Sequence, residues 1–180
     1  MRGILSRSSV DSLRAHSTPG LCDASDRAKL GIKGPRLMAW LAEQDVPCPQ
    51  SIFEVTRSDG GFLAARVGSD EVVFEASRGA ARLAAVEAVL RDSPSGVYRV
   101  EQQTSTFLLS GPDSSDFWAQ TCALDIASAP TERILYTRIA GISCAVIPEA
   151  IHEMRAYRIW VDYSYGPELW KTMSEIMREL

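Results

Sequence analysis

Apolar and polar positions along this chain follow two different spacings. Short stretches in which β-branched, aromatic and other apolar residues alternate with polar ones are typical of strands. Between them lie segments with apolar residues three and four positions apart, which is the spacing of one helix face. The predicted strands begin at Leu30 and Phe107 or span 52–56, 62–67, 71–75, 97–101, 133–139, 142–147 and 157–161.

Two helices are predicted from the helical spacing. One runs from about Arg78 to Arg91, with Ser77 as its N-cap, because a serine side chain can accept a hydrogen bond from the first turn. The other begins at Gly166, which is followed by proline, and carries one wide apolar stripe. We expect this stripe to be buried against a sheet or a partner. It consists of Leu169, Trp170, Met173, Ile176, Met177 and Leu180, with Trp170 and Ile176 predicted to be buried.

The chain contains an internal repeat. Residues 30–41 and residues 107–118 each consist of a short apolar run, a Gly-Pro step and a segment that carries aromatic residues at helical spacing. The glycines of the two steps are Gly34 and Gly111. Because proline has no N–H and a fixed φ that fits a helix, it suits the first helical position. Both steps are therefore predicted to open a helix.

These segments predict an α+β fold built from two related halves. Each half has the order strand, helix, three strands, helix, written β-α-β-β-β-α, with an antiparallel sheet and helices on one face. The predicted organisation is an N-terminal arm at 1–29, a first half at 30–96 and a second half at 97–180. A chain of 180 residues is long enough for two small lobes of this kind.

Two segments are candidate subunit interfaces. The N-terminal arm is rich in Ser and Arg and has little apolar periodicity, so we expect it to be disordered or to become ordered on a partner. Its candidate interface residues are Arg2, Arg7 and Arg14. In the predicted loop before the last helix, Tyr163 and Tyr165 are candidates because tyrosine is enriched at interface hot spots. A loop packed on its own domain would also use such residues.

Composition and charge exclude two classes of partner. The chain has 46% hydrophobic residues, which is ordinary for a globular protein, and a formal net charge of −4 with Lys and Arg dispersed along it. A nucleic-acid-binding protein needs a concentrated basic surface, so we expect no nucleic-acid partner. No apolar run approaches the roughly 20 residues that span a membrane, and no apolar leader is present, so we expect a cytoplasmic protein without membrane contact.

The patterns that mark most enzyme sites are missing. Cys22, Cys48, Cys122 and Cys144 are far apart and form no CxxC pair, so no zinc site is predicted and the thiols are expected to be small buried side chains. The two histidines make no convincing catalytic pair with them. The GxGxxG loop of flavin and nicotinamide sites and the P-loop are also missing. The residues therefore predict no catalytic, cofactor-binding or metal-binding site on this chain.

Several short sequences in the second half resemble one protein family. They are FLLSGP at 107–112, CALDI at 122–126, TRIAGI at 137–142, YRIWV at 157–161 and LW at 169–170. In this order and spacing they resemble the gamma subunit of heterotetrameric sarcosine oxidase, a relative of the aminomethyltransferase, or glycine-cleavage T-protein, fold. The resemblance is good over 104–180 and loose over 30–91.

This resemblance implies a T-protein-like fold and a non-catalytic subunit of an oxidoreductase complex. Such a complex oxidises sarcosine or a related N-methyl amino acid and passes the methyl carbon to tetrahydrofolate. The implied partners are alpha, beta and delta subunits. FAD, FMN, NAD and tetrahydrofolate are implied for the larger alpha and beta subunits, and zinc for the delta subunit. For this chain the resemblance implies no cofactor and no active-site residue.

Other functions are open at the level of sequence. The chain could be the small subunit of an N-methylglutamate dehydrogenase, a free-standing folate-binding or one-carbon transfer protein, or an interaction domain outside amine metabolism. For a folate-binding protein the candidate residue is Asp125, whose carboxylate could contact folate as in catalytic relatives of the fold. An aspartate in such a segment more often caps a turn.

Overall fold

The computed structural model describes residues 20–58, 61–77, 79–92, 94–151 and 154–180. These residues form ten strands and four α-helices. The strands are β1 (Gly20–Asp23), β2 (Ala28–Lys33), β3 (Val55–Ser58), β4 (Phe62–Gly68), β5 (Glu71–Ala76), β6 (Tyr98–Val100), β7 (Thr104–Ser110), β8 (Leu135–Ile139), β9 (Ile142–Ile151) and β10 (Met154–Asp162). The helices are α1 (Leu37–Glu43), α2 (Ala81–Leu90), α3 (Ser114–Thr121) and α4 (Gly166–Glu179), with a 3-10 turn at Tyr163–Tyr165 directly before α4.

The described chain divides into two units, each built around one antiparallel sheet. The first unit, residues 26–102, has the strand order β3-β4-β5-β2-β6. The second unit contains residues 20–25 and 103–180 and has the order β1-β7-β10-β9-β8. Apart from β6 in the first sheet and β1 in the second, each unit follows the order β-α-β-β-β-α along the chain. The predicted α+β fold with two related halves is therefore confirmed.

In each sheet, four strands belong to that unit's own repeat. The fifth strand comes from the chain segment that leads into the repeat of the other unit. β6 leads into β7 along the chain but pairs with β2, and β1 leads into β2 but pairs with β7. The sequence analysis assigned residues 20–29 to an arm without a core, whereas the structure places them in β1 and at the start of β2. Leu21 and Cys22 are buried there. Residues 1–19 of the predicted arm lie outside the described residues.

The two Gly-Pro steps form equivalent turns. Gly34 and Gly111 have φ angles of 141° and 114°, in the region that favours glycine. A Cβ on Gly34 would also collide with the carbonyl oxygen of Gly96. Helices α1 and α3 begin later, at Leu37 and Ser114, so the prediction that these prolines open the helices was wrong. The reason is a tight turn in which the Leu37 N–H donates to the Gly34 carbonyl at 2.9 Å.

Helix α2 also begins later than predicted. The sequence analysis started it at Arg78, which lies outside the described residues, and used Ser77 as its cap. The structure instead has Ala80 at the N-cap without a side-chain hydrogen bond. Gly79 has a φ of 80°, which no right-handed helix includes, so the helix begins after it. Ser77 contributes its backbone carbonyl, which accepts from the Ala80 N–H at 3.0 Å.

Each unit has its own apolar core between its sheet and its helices. In the first unit, the rings of Phe62 and Phe74 lie 5.5 Å apart between centroids, within a cluster that α1 and α2 complete. In the second unit, the Trp118 ring of α3 meets the Tyr157 ring of β10 edge to face at 5.0 Å. Burying one such large side chain contributes about 1.5 to 3 kcal/mol, so these clusters hold the helices on the sheets.

The apolar stripe of α4 is present, but its most buried residues are not the two that were predicted to be buried. Leu169, Met173 and Met177 are buried in the core of the second unit. Trp170 and Ile176 flank this line and are only partly buried. The Trp170 ring still packs on the Phe107 ring, with 5.3 Å between centroids. The prediction of the stripe was correct, but the prediction that these two residues are buried was not.

Candidate functional site

One end of the second unit's sheet brings several exposed segments together. Val161, near the end of β10, lies opposite Cys144, near the start of β9, and Cys144 lies opposite Thr137, in the middle of the short strand β8. Helix α3 ends here as well, because the Thr121 carbonyl accepts from the Ala140 N–H at 3.0 Å. Since neighbouring strands are about 4.8 Å apart, β8 and β10 lie about 10 Å apart at this end.

The loop after β10 holds two exposed tyrosines in a fixed turn. The Asp162 carboxylate accepts hydrogen bonds from the Ser164 N–H at 2.9 Å and from the Ser164 hydroxyl at 2.5 Å. These two bonds, the hydroxyl first, lower the pKa of Asp162. Tyr163 and Tyr165 are 60% and 57% exposed. The turn therefore presents two aromatic rings to the outside on an ordered backbone.

The same loop is anchored where α4 begins. Gly166 is buried against β7, and a Cβ at this position would lie 2.6 Å from the Ser105 hydroxyl oxygen. Pro167 follows in the first turn of α4, as the sequence predicted. Because a larger residue at Gly166 would push the helix from the strand, this glycine determines how closely the tyrosine loop approaches the sheet.

A groove of about 650 Å³ lies beside β8, and we call it the β8 groove. Its lining comes from the segment after α3, including Leu124, from 136–138 in β8, and from Ser143 and Cys144 at the start of β9. Since β8 is the outermost strand of its sheet, the groove follows a sheet edge. Leu124 and Tyr136 are 46% and 55% exposed, and Arg138 is the charged residue of the lining. This surface suits contact with another chain better than enclosure of a small molecule.

The β8–β9 turn fixes one end of this groove. Ala140 and Gly141 both have positive φ angles, 47° and 86°, as in the two-residue type I′ turn that matches the twist of a hairpin. The Cys122 thiol lies 3.2 Å from the Thr137 hydroxyl oxygen and so connects the end of α3 to β8.

The carboxylate of Asp125 stabilises a turn. Its Oδ1 accepts a hydrogen bond from the Ser128 N–H at 3.2 Å. The segment around this turn is held on the sheet by the Arg155 guanidinium, which donates to the carbonyl oxygens of Ile126 and Ala129. This geometry favours the turn interpretation of Asp125 over a folate contact.

The buried charged side chains form ion pairs. In the second unit, the Arg158 guanidinium contacts both carboxylate oxygens of Glu149, at 2.9 and 3.1 Å. In the first unit, the Glu75 carboxylate lies 2.7 Å from Arg27 and 3.8 Å from Lys29. Buried charges are tolerated when they are paired in this way, so these carboxylates are part of the fold.

The cysteines do not form a metal centre. None of the four cysteines is in a disulfide, and burial raises the pKa of Cys48 to about 11 and that of Cys144 to about 12. Among the residues that the structure describes, no group of three His, Cys, Asp or Glu side chains could hold a metal ion. Zinc does not fit this part of the chain, because a zinc site needs several ionised ligands that point to one position.

The predicted interface residues are partly placed by the structure. Tyr163 and Tyr165 lie together in the loop before α4, while Arg2, Arg7 and Arg14 lie outside the described residues. The β8 groove was not predicted from the sequence. Tyr136 lies in the predicted strand 133–139. Its exposure was not predictable, because a sequence does not show which strand will lie at the edge of a sheet. In the described ranges, no helix is long and apolar enough to cross a membrane.

The two repeated units define the class of fold. Two repeated β-α-β-β-β-α units with antiparallel sheets, each unit completed by a strand from outside its repeat, form a duplicated α+β fold. No protein-family model matches the chain, and no curated protein matches it significantly. The relatives are therefore found by structure.

Two solved structures share this fold. A chain of the heterotetrameric sarcosine oxidase from Corynebacterium sp. U-96, in complex with pyrrole 2-carboxylate, matches with a TM-score of 0.71 and 21% identity over 89% of this chain and 84% of that chain. Aminomethyltransferase T of the glycine cleavage system from Bartonella henselae matches with a TM-score of 0.68 and 14% identity over 89% of this chain and 46% of that chain. The chain thus has the fold that the sequence resemblance implied, and it spans about half the length of the aminomethyltransferase.

Proposed function

We propose that this chain is a non-catalytic, gamma-type subunit of a heterotetrameric flavoenzyme that oxidises sarcosine or a related N-methyl amino acid. The methyl carbon passes to tetrahydrofolate on another subunit. Alpha, beta and delta subunits are the partners, and they carry FAD, FMN, NAD, tetrahydrofolate and zinc. The role of this chain is to hold the assembly together in the cytoplasm.

The observation that carries this proposal is the coverage of the structural match in both directions. The alignment with the sarcosine oxidase chain covers 89% of one chain and 84% of the other, so the two chains have similar lengths. For aminomethyltransferase T the corresponding value is 46% of that chain. A small subunit of the oxidase is therefore the better counterpart for this chain than a full-length folate enzyme.

The exposed surface at one end of the second unit supports an assembly role. Tyr163 and Tyr165 in the loop after β10, and Tyr136 and Leu124 in the lining of the β8 groove, are all more than two-fifths exposed. Large apolar side chains clustered on a surface are typical of protein interfaces, and tyrosine is enriched among the residues that dominate binding.

The similarity to aminomethyltransferase T favours a second candidate, a free-standing folate-binding protein. The two are distinguished by isothermal titration of the purified chain with tetrahydrofolate. The subunit proposal predicts no saturable binding. Saturable binding that is lost in Asp125→Ala would favour the folate-binding candidate, because the alanine removes the carboxylate that could contact the ligand.

The direct test is co-expression of the tagged chain with the proteins encoded beside its gene. The proposal predicts that the chain purifies in a heteromeric complex whose other subunits contain the flavin. The double variant Tyr163→Ser, Tyr165→Ser should recover at least about tenfold less complex, as expected when interface hot spots are removed. Tyr98→Ser is the matched control, because this tyrosine is 57% exposed but lies in the first unit.

Three outcomes of this experiment have different meanings. Loss of complex in the double variant with normal recovery for Tyr98→Ser supports the proposal and locates the interface. Normal recovery for all variants retains the subunit role and excludes the tyrosine loop as the contact. A chain that purifies alone, while its neighbours assemble an active oxidase without it, contradicts the proposed function.

A further inference from the structure

Two thiols from different elements meet beside the β8 groove. Cys122 follows the last residue of α3 and is partly buried, and Cys144 lies in β9 with 5% of its surface exposed. Cys144 is also one of the residues that line the groove. The two cysteines pack on the same apolar core.

Thr137 connects the two cysteines. The Cys122 Sγ lies 3.2 Å from the Thr137 Oγ1, and Thr137 is directly opposite Cys144 in the β8–β9 pair. Residues opposite each other in antiparallel strands point to the same face, with Cβ atoms about 5 Å apart. Cys122 thus lies over the strand pair that holds Cys144. In agreement with this proximity, the Cys122 thiol is one of the groups that raise the pKa of Cys144.

We propose that Cys122 and Cys144 form an oxidisable dithiol, which hydrogen peroxide converts into an intramolecular disulfide between α3 and β9. In the first step the Cys122 sulfur attacks one peroxide oxygen, the O–O bond breaks, and a sulfenic acid and one water form. In the second step the Cys144 sulfur attacks the Cys122 sulfur, the S–S bond forms, and the hydroxyl leaves as a second water. The two thiols lose two electrons and two protons, and one molecule of hydrogen peroxide is reduced.

The environments of the two thiols determine this order. Cys122 is the more exposed of the two, so it is the sulfur that meets the oxidant. Burial raises the pKa of Cys144 to about 12, so its thiol stays protonated and reacts only with an electrophile formed beside it, its proton leaving with the Cys122 hydroxyl as water. Its position beside Cys122 makes it the residue that resolves the sulfenic acid. The disulfide would join the end of α3 to the floor of the β8 groove, and it does not depend on the proposed subunit function.

The test uses the purified full-length chain and hydrogen peroxide at pH 7.5. The proposal predicts that free thiols fall from four to two, that the intact mass decreases by about 2 Da, and that peptide mapping finds Cys122 joined to Cys144. Dithiothreitol should restore all four thiols. In Cys144→Ser, dimedone should trap a sulfenic acid at Cys122. The yield of this adduct should be at least about tenfold above the yield of any dimedone adduct in Cys122→Ser.

Matched controls come from the other two cysteines. Cys22→Ser and Cys48→Ser should form the 122–144 disulfide as the wild type does. The other cysteine, Cys48 in the first variant and Cys22 in the second, should stay a thiol. The proposal is overturned if peroxide leaves Cys122 and Cys144 as thiols, or if the disulfide that forms joins either of them to Cys22 or Cys48. Sulfinic acid at Cys122 without any disulfide in the wild type would also overturn it, because Cys144 would then not be within reach.

Discussion

Leu21 lies directly opposite Leu109 in the β1–β7 pair, and both side chains are buried in the core of the second unit. The strand that precedes the first repeat is therefore part of the sheet of the second. Because Leu21 is only 4% exposed, this strand contributes to the core as well as to the ladder. The N-terminal segment thus contains a structural part from Gly20 onwards.

A pair of N-terminal deletions should locate this boundary. Deleting residues 1–19 retains all of β1, so the thermal midpoint of the chain should change little. Deleting residues 1–23 removes β1, and Leu21→Ala alone should lower the free energy of unfolding by about 2 to 5 kcal/mol. Calorimetry and urea titration measure these changes. Equal midpoints for both deletions would mean that β1 does not contribute to the core.

Substitution of Gly166 should separate α4 from β7. In Gly166→Ala the new Cβ would approach the Ser105 hydroxyl oxygen to 2.6 Å, so the strand or helix must shift. We expect a loss of about 1 to 3 kcal/mol in the free energy of unfolding. Ser105→Ala in the same chain should recover part of it. Gly68→Ala is the control, because its Cβ would have an ordinary contact at 3.5 Å, and a similar loss there would contradict the steric explanation.

The burial of the residues in the α4 stripe predicts which substitutions lower the free energy of unfolding most. Leu169→Ala should cost about 2 to 5 kcal/mol, since Leu169 is fully buried. Ile176→Ala should cost clearly less, because Ile176 is only partly buried at the flank of the stripe. Chemical denaturation of both variants tests this order. The reverse order would show that α4 is rotated relative to the sheet.

The turn that presents the tyrosines should depend on the ionisation of Asp162. Hydrogen bonds from Ser164 lower the pKa of this carboxyl below its ordinary value of about 3.9. A group with a lowered folded pKa adds stability above its unfolded pKa and loses it as the pH falls through the folded pKa, so the turn should loosen only in strong acid. An NMR titration should show a higher pKa for Asp162 in Ser164→Ala and no change in Ser115→Ala. An unchanged pKa in Ser164→Ala would contradict this assignment.

Much of the fold was predictable because its signals are local. The repeated Gly-Pro steps were visible in the sequence, and the positive φ angles of Gly34 and Gly111 explain why glycine occurs at both. The strand of residues 20–23 was not predictable, because a four-residue strand has too little pattern and its partner is more than eighty positions away. The start of α2 was misplaced because the φ of Gly79 is set by the turn before the helix.

The candidate site was predictable only in part. Tyr163 and Tyr165 stand out in a loop, where a large aromatic residue is unusual enough to suggest a contact. Leu124 and Tyr136 give no such signal, because the groove forms only when the segment after α3 packs beside an edge strand. The proximity of Cys122 and Cys144 likewise depends on the β8–β9 register, which the hairpin turn determines.

The most direct test of the central claim is turnover per bound flavin in complexes built with altered versions of this chain. The Tyr163→Ser, Tyr165→Ser variant and the 1–19 deletion should each give less complex, while the complex that does form oxidises sarcosine, or the related N-methyl substrate of the wild-type complex, at the wild-type rate per flavin. This result is expected because the proposed function gives this chain a role in assembly and none in the chemistry. Full assembly with lost turnover would contradict the account, since a residue of this chain would then reach the reacting atoms.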